Sequence, residues 1–295
     1  MLEKLYLLYI YIYHSHLKKE DYPKALKKWF KHCTGKELNL DDPQTFSEKI
    51  QWLKLYDSTE QKALLSDKYA VRDWVKEKIG EKYLIPLLGV WEDARDIDFD
   101  ALPESFVLKT NHSSNWNIIV KDKSKLDVKK AVRKLNRWLS MDYSFVCGMQ
   151  LHYSLIKRRI IAEKYLENKD GLDDYKILCF DGKPAFIWKE TGRFSGTEHK
   201  RTIYDTKWNR QDWGLLYPPG EASEPPVCLE EMIEIATVLC KGFCHVRVDL
   251  YEVEGRVYFG EMTFTSGSGL SRFYPEEMNK TIGDMIDLEK IHMEK

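Results

Sequence analysis

No stretch of this 295-residue sequence stays apolar for the ~20 residues that a helix needs to cross a bilayer. The best candidate, Leu5 to Tyr13, is rich in Leu, Ile and Tyr but falls well short. Only Lys4 gives it a basic start and no small-residue cleavage site follows, so a secretory signal is not expected. Two readings stay open for it: a helix packed on the body, or an interfacial stripe giving peripheral membrane contact. An excess of one charge is also missing, since 46 Lys and Arg face 47 Asp and Glu. That balance excludes a global field for nucleic acid or anionic membranes. Cysteine is sparse, and Cys33, Cys147, Cys179, Cys228, Cys240 and Cys244 show no framework spacing, which fits free thiols in a reducing, cytoplasmic setting. Cys240, Cys244 and His245 lack the second pair that would complete a zinc tetrahedron. There is no internal repeat, no low-complexity linker and no P-loop glycine signature.

What is present is a chain that is 43% hydrophobic and 32% charged, enough for interwoven lobes with their own cores. Thr45 stands three residues before Glu48, a capping-box pattern that opens an amphipathic helix with Phe46, Ile50, Trp52, Leu53 and Leu55. A second helix is expected from about Ser66 to Lys78, stopping at Gly80, and Tyr83 to Pro86 reads as a short strand. Ser105 to Lys109 and Asn117 to Lys121 are apolar runs flanking a polar loop, after which Ser124 is expected to cap a basic helix. Arg159 to Leu166 reads as a strand. Asp181-Gly182 is a hairpin turn between Asp174 to Phe180 and Pro184 to Lys189. Leu229 to Lys241 is helical and feeds a last hairpin, Cys244 to Glu252 with Arg256 to Thr263.

The chemistry concentrates in that hairpin. Asp249 and Glu261 are equidistant from Gly255, so an odd-numbered loop centred there sets two carboxylates opposite each other. Facing carboxylates repel unless a cation lies between them, and hard oxygen ligands suit magnesium held jointly with phosphates. Arg247 shares their face by the strand period. A surface hairpin with scattered charges fits the spacing equally well. The run Thr263 to Leu270 offers hydroxyls and backbone donors to an anion, or is an ordinary Gly/Ser loop. Lys109 ends an apolar strand beside Ser113, Ser114 and Asn115, where a phosphate can be met, and His112 reads as a structural hydrogen-bonder rather than a base.

In this order Phe106-Val107-Leu108-Lys109, Ala162-Glu163-Lys164-Tyr165-Leu166, and Arg247-Val248-Asp249 through Glu261-Met262-Thr263 resemble the motifs of ATP-grasp ligases. Asp42 to Trp52, Ser66 to Arg72, Asp174-Tyr175-Lys176 and Gly260 to Thr265 resemble more closely the TupA-like branch linked to teichuronopeptide biosynthesis. The resemblance implies an α+β fold in which two lobes grip ATP. It places an N-terminal helical segment at 1–60, a pre-ATP-grasp region at 61–105, a central lobe at 106–160 and a C-terminal lobe at 161–295.

By the same resemblance, Lys68 and Lys109 contact phosphates with Ser113 and Ser114. Glu163 accepts from the adenine amine, and the backbones of Lys164 and Leu166 pair with the ring edge. Asp174 lies near the ribose and Lys176 reaches phosphate. Asp249, Glu261 and Thr263 hold Mg²⁺, while Arg247, with Lys109, serves the transferred phosphoryl group. Two positions depart from the family: Thr263 stands where Asn is common, and Ser113 and Asn115 stand where glycines are usual. Asn tolerates a left-handed backbone better than Ser does. The implied activity is a carboxylate–amine ligase forming an acyl phosphate for a cell-surface polymer. A polysaccharide glycosyltransferase, a kinase on the same fold and a non-catalytic binding module remain the alternatives. Trp188, Trp208, Trp213 and Tyr217 form either an aromatic platform for sugar faces or core packing.

Overall fold

A computed structural model describes residues 2–146, 148–168, 172–192 and 198–292, with side chains from residue 8 to residue 291. Cys147 and the side chains of Lys4 and of the first part of the N-terminal stripe lie outside the described residues. The chain opens with α1 (Leu2–Ser15), α2 (Tyr22–Thr34), α3 (Phe46–Tyr56), α4 (Glu60–Ser66) and α5 (Val71–Lys78). Then come β1 (Leu87–Trp91), β2 (Phe106–Thr110), β3 (Asn117–Val120), α6 (Val128–Ser140) and β4 (Ile160–Lys164). The strands β5 (Asp174–Phe180), β6 (Lys183–Thr191), β7 (Lys200–Asp205) and β8 (Gly214–Leu215) precede α7 (Leu229–Leu239). The last elements are β9 (His245–Val253), β10 (Arg256–Thr263), β11 (Phe273–Tyr274), α8 (Met278–Gly283) and α9 (Glu289–His292).

Two antiparallel sheets carry the molecule. One has four strands in the order β1-β4-β2-β3 and the other has five in the order β10-β9-β5-β6-β7. Strand alternation explains how each sheet is covered. On β9, Val246, Val248 and Leu250 are fully buried and join Val75 of α5 and Met232, Ile235 and Leu239 of α7 in one core. Arg247 and Asp249 therefore point to the opposite face. The four-stranded sheet packs Phe106, Leu108, Ile160 and Ala162 against Leu135 of α6. No helix among the described residues is long and apolar enough to cross a membrane. On α1, Ile10 and Tyr11 pack inward and His14 is buried, whereas Leu8, Tyr9, Ile12 and Tyr13 are exposed.

Several local expectations hold. The capping box of α3 is complete: the Glu48 N–H donates to Thr45 Oγ1 at 3.3 Å and the Thr45 N–H donates back to the Glu48 carboxylate at 3.0 Å. Thr45→Ala removes one side of it and is expected to cost about 1 kcal/mol in urea unfolding. The Asp181-Gly182 turn has both residues left-handed, as a two-residue hairpin requires.

Others are corrected. The helix expected from Ser66 begins at Val71, because the Asp67 carboxylate accepts from the Tyr69 and Ala70 N–H groups at 2.8 and 3.2 Å and forms a turn instead. The strand expected at Tyr83 to Pro86 begins after Pro86, which has no N–H to give a ladder. Asp127, not Ser124, caps α6, by accepting from the Lys130 N–H at 2.9 Å.

Candidate active site

The hairpin of β9 and β10 sets Asp249 directly opposite Glu261, but not by an odd-numbered loop. Val253 pairs with Arg256, so the turn is the two residues Glu254 and Gly255, both left-handed. That register alone would pair Asp249 with Gly260 and send Glu261 to the other face. A bulge between Phe259 and Glu261 adds the missing residue and turns Glu261 and Thr263 back to the side of Asp249. Gly260 suits the position because a Cβ there would stand 3.0 Å from the Asp249 carbonyl and from the Tyr251 ring.

The carboxylates are held by cations from three directions. Arg247 donates through Nε to Asp249 Oδ1 at 2.6 Å and through an NH2 group to Oδ2 at 2.7 Å, and the same NH2 group reaches Glu261 Oε1 at 3.3 Å. Lys176 Nζ lies 2.6 Å from both Asp249 Oδ2 and Asp174 Oδ2. Lys68 Nζ lies 3.1 Å from Glu261 Oε2. Burial opposes ionisation of Glu261, but Lys68, Arg247 and Lys176 outweigh it and hold its carboxyl well below the usual range. Burial likewise works against the Arg247 charge, and Asp249 and Glu261 reverse that and hold the guanidinium above its ordinary value.

Lys68 reaches the sheet because the turn after α4 is tied to the loop between β2 and β3. The Asn111 side chain donates to Asp67 Oδ1 at 2.8 Å, the Lys68 N–H donates to the Asn111 carbonyl at 3.1 Å, and Lys68 Nζ donates to the Ser113 carbonyl at 2.6 Å. In that loop Asn115 takes the left-handed backbone and Ser113 does not. The Ser113 hydroxyl, expected on phosphate, is buried against the Thr110 hydroxyl, whereas Ser114 lines the cleft. His112 is fully buried, with Nε2 donating to the Met141 carbonyl at 3.3 Å. Burial above all, and then Arg158, lower its pKa to about 4, so it is a neutral structural group and not a base.

The residues expected at the adenine and ribose engage protein partners. Glu163 is buried, with Lys109 Nζ at 2.6 Å and Arg72 NH1 at 3.4 Å. The Lys164 N–H already donates to the Pro86 carbonyl at 3.0 Å, which withdraws it from any ring edge. Leu166 is buried just beyond β4. Asp174, expected at the ribose, is fully buried and orients Lys176.

The expected metal ligands meet in part. Asp249 and Glu261 supply hard oxygens on adjacent strands, a donor set that fits Mg²⁺ when phosphate oxygens complete it. The Thr263 hydroxyl accepts from Arg247 at 3.1 Å and donates to Glu261 at 3.2 Å, so it bridges the ion pairs. No group of three or more His, Cys, Asp or Glu that could hold a metal alone occurs among the described residues. Lys68, Lys109, Ser114, Lys176, Asp249 and Glu261 line one cavity of about 70 Å³. That is far below the ~300 Å³ at which small-molecule pockets begin.

Sequence reasoning missed Arg72 and a second buried cluster on the same sheet face. Glu190 pairs with Asp174 across β5 and β6, and Arg201 Nε donates to Glu190 Oε1 at 2.6 Å. His199 meets the other Glu190 oxygen. The alternation of Trp188 and Glu190 was the available signal. Of the two readings of the aromatic residues, packing is the one formed by the tryptophans: Trp188 and Trp213 are buried in the core and Trp208 stacks on Tyr204 at 4.0 Å. Trp208 and Tyr217 both stay half-exposed, the latter against His199 and Arg201.

A family model described as TupA-like ATPgrasp matches residues 48–287. No curated protein matches the chain. Among solved structures it is similar to a D-alanine–D-alanine ligase from Bacillus anthracis complexed with ATP, at 19% identity and TM-score 0.41, over 68% of this chain and 54% of that one. It is also similar to an L-amino acid ligase from Bacillus licheniformis, at 18% identity and TM-score 0.45, over 76% of this chain and 50% of that one. The chain thus spans about half the length of these structures.

Proposed function

The chain belongs to the TupA-like ATP-grasp family and has its α+β fold, and from that premise we propose that it is an ATP-dependent carboxylate–amine ligase working through an acyl phosphate. The observation that carries this reading is the convergence of Lys68, Lys176 and Arg247 on the facing carboxylates of Asp249 and Glu261, beside a cleft that Lys109 also lines. Phosphoryl transfer needs little covalent help from a protein and much charge neutralisation and positioning.

In the first step a substrate carboxylate attacks the γ-phosphorus of ATP, ADP leaves, and the acyl phosphate remains. Lys68, Lys109 and Lys176 would hold the phosphates, and Arg247, fixed in angle by its two bonds to Asp249, would face the transferred group. A bound Mg²⁺ on Asp249 and Glu261 would neutralise the charge developing on the phosphates. In the second step an amine attacks the acyl carbon, losing a proton as phosphate departs. Arg247 and the Ser266-Gly267 backbone are the donors available to the oxyanion. The small cavity means that the loop after β2 and the sheet must separate to admit a nucleotide. The branch resemblance supports a cell-surface polysaccharide or teichuronopeptide as the destination of the amide.

The experiment is a hydroxylamine trap. With Mg·ATP, hydroxylamine and a panel of uronic acids, glutamate and short glutamyl peptides, a hydroxamate should form in step with ADP. Release of AMP from a true substrate pair would sink the acyl phosphate. A phosphorylated sugar hydroxyl would favour a kinase, and turnover of a sugar nucleotide without ATP use would favour a glycosyltransferase.

A further inference from the structure

The metal-binding carboxylates of the proposed site are already saturated with the protein's own cations. Asp174, Asp249 and Glu261 carry three negative charges, and Lys68, Lys176 and Arg247 carry three positive ones within 3.3 Å of them. Both oxygens of Asp249 accept from Arg247, and one of them also meets Lys176. Both oxygens of Glu261 have donors as well, Arg247 and Thr263 on one and Lys68 on the other. A divalent cation entering alone must displace an ammonium group and add two charges beside Arg247, in surroundings that screen charge poorly.

The cations differ in how easily they can leave. Arg247 is locked by a bidentate pair on its own strand. Lys176 is anchored on one side by Asp174. Lys68 comes from outside the sheet, on a turn that hangs from the β2–β3 loop through Asn111 and Ser113, so it moves with that loop. A phosphate chain arriving under the loop offers Lys68 and Lys176 stronger acceptors, and as they swing onto it Glu261 Oε2 is freed and Asp249 Oδ2 keeps only its Arg247 donor.

We infer that Lys68 and Lys176 are place-holding cations: they keep divalent metal off Asp249 and Glu261 until nucleotide phosphates draw them away, so metal and nucleotide load as a unit. Coupling of this kind is reciprocal, and each ligand tightens the other by the same factor, roughly tenfold or more. The inference rests on the proposed assignment of Asp249 and Glu261 to the metal, and the test separates the two.

Mn²⁺ is titrated into the full chain, with free Mn²⁺ read by electron paramagnetic resonance and folding checked by circular dichroism. Without nucleotide, Lys68→Gln should bind Mn²⁺ at least about tenfold more tightly than the parent protein, because Glu261 has lost its standing partner. Binding of a non-hydrolysable ATP analogue, read by calorimetry, should tighten by a similar factor when EDTA is replaced by Mn²⁺ in the parent, and by less in Lys68→Gln. Equal Mn²⁺ affinity of the parent and Lys68→Gln in the absence of nucleotide would overturn the place-holding role. If Lys68→Gln with Asp249→Asn binds Mn²⁺ as well as Lys68→Gln alone, the metal lies elsewhere and the site assignment itself fails.

Discussion

Asp249→Asn should lower kcat by at least about a hundredfold, the scale set by removing one preorganised charge from a phosphoryl- or acyl-transfer site. Unlike a simple ligand deletion, it should also destabilise the protein. Asp249 is nearly fully buried and answers two cations, Arg247 at 2.6 Å and Lys176 at 2.6 Å. Asn keeps the shape but removes the charge, leaving a buried guanidinium and ammonium with less compensation. Breaking one partner of a buried pair typically costs about 3–5 kcal/mol. Urea unfolding and turnover should therefore both fall, and Glu261→Gln should follow the same direction with a smaller stability loss, since Glu261 is more exposed. A variant that lost activity with unchanged stability would show that the ion-pair network contributes nothing to the fold. Thr263→Ala, which removes only a hydroxyl bridging Arg247 and Glu261, should be much milder in both measures.

Insertion of one alanine between Gly260 and Glu261 should be more damaging than any point substitution in the hairpin. Gly260 and Glu261 already share the place opposite Asp249, and one more residue would carry Glu261 on to Val248, so that every residue from Glu261 onward changes face. Met262, buried in the main core, would turn toward the site, while Glu261 and Thr263 would turn into the core. Exposing Met262 forfeits about 1.5–3 kcal/mol, and burying a charged Glu261 without a partner costs several more. The sum approaches the whole ~5–15 kcal/mol stability of a typical domain. The expected result is an insoluble chain, or one with no cooperative thermal transition. Gly260→Ala keeps the register and is strained only by the 3.0 Å approach to the Asp249 carbonyl and the Tyr251 ring, so it should fold with a modest loss. If the insertion melted like the alanine variant, the register at the bulge would not be what sets the site.

Much of the site was legible because its signals are local. A capping box needs only Thr45 and Glu48, three residues apart, and both sides of it form. Apolar alternation on β9 places Val246, Val248 and Leu250 on one face and Arg247 and Asp249 on the other, whatever they later touch. Asn115 was expected to accept a left-handed backbone more readily than Ser113, and it does so. The misses share a different cause. Asp67 breaks the helix expected at Ser66 because its carboxylate serves both a local turn and Asn111, 44 residues away. Between a sugar platform and core packing the sequence left Trp188 and Trp213 open, and the core claimed them, since a large apolar ring gains more from burial than from display.

The sequence by itself determined the faces of β9, the order of the motifs and the place of the last hairpin turn at Gly255, because each follows from side-chain period and turn chemistry within some fifteen residues. It also set Asp249 and Glu261 as facing carboxylates whose mutual repulsion requires a cation, and the structure pairs them. Which cations meet them was decided only by the tertiary structure. Lys68 arrives from a turn tied to the β2–β3 loop, Lys176 from the neighbouring strand, and Arg72 and Lys109 close on Glu163 across separate elements. Such pairings bring together residues as far apart as 193 positions in the chain, and a charge carries no mark in the sequence of the distant partner that will neutralise it. The bulge at Gly260 belongs with them, for a single extra residue is invisible to a period of two until the partner strand fixes which residue it faces.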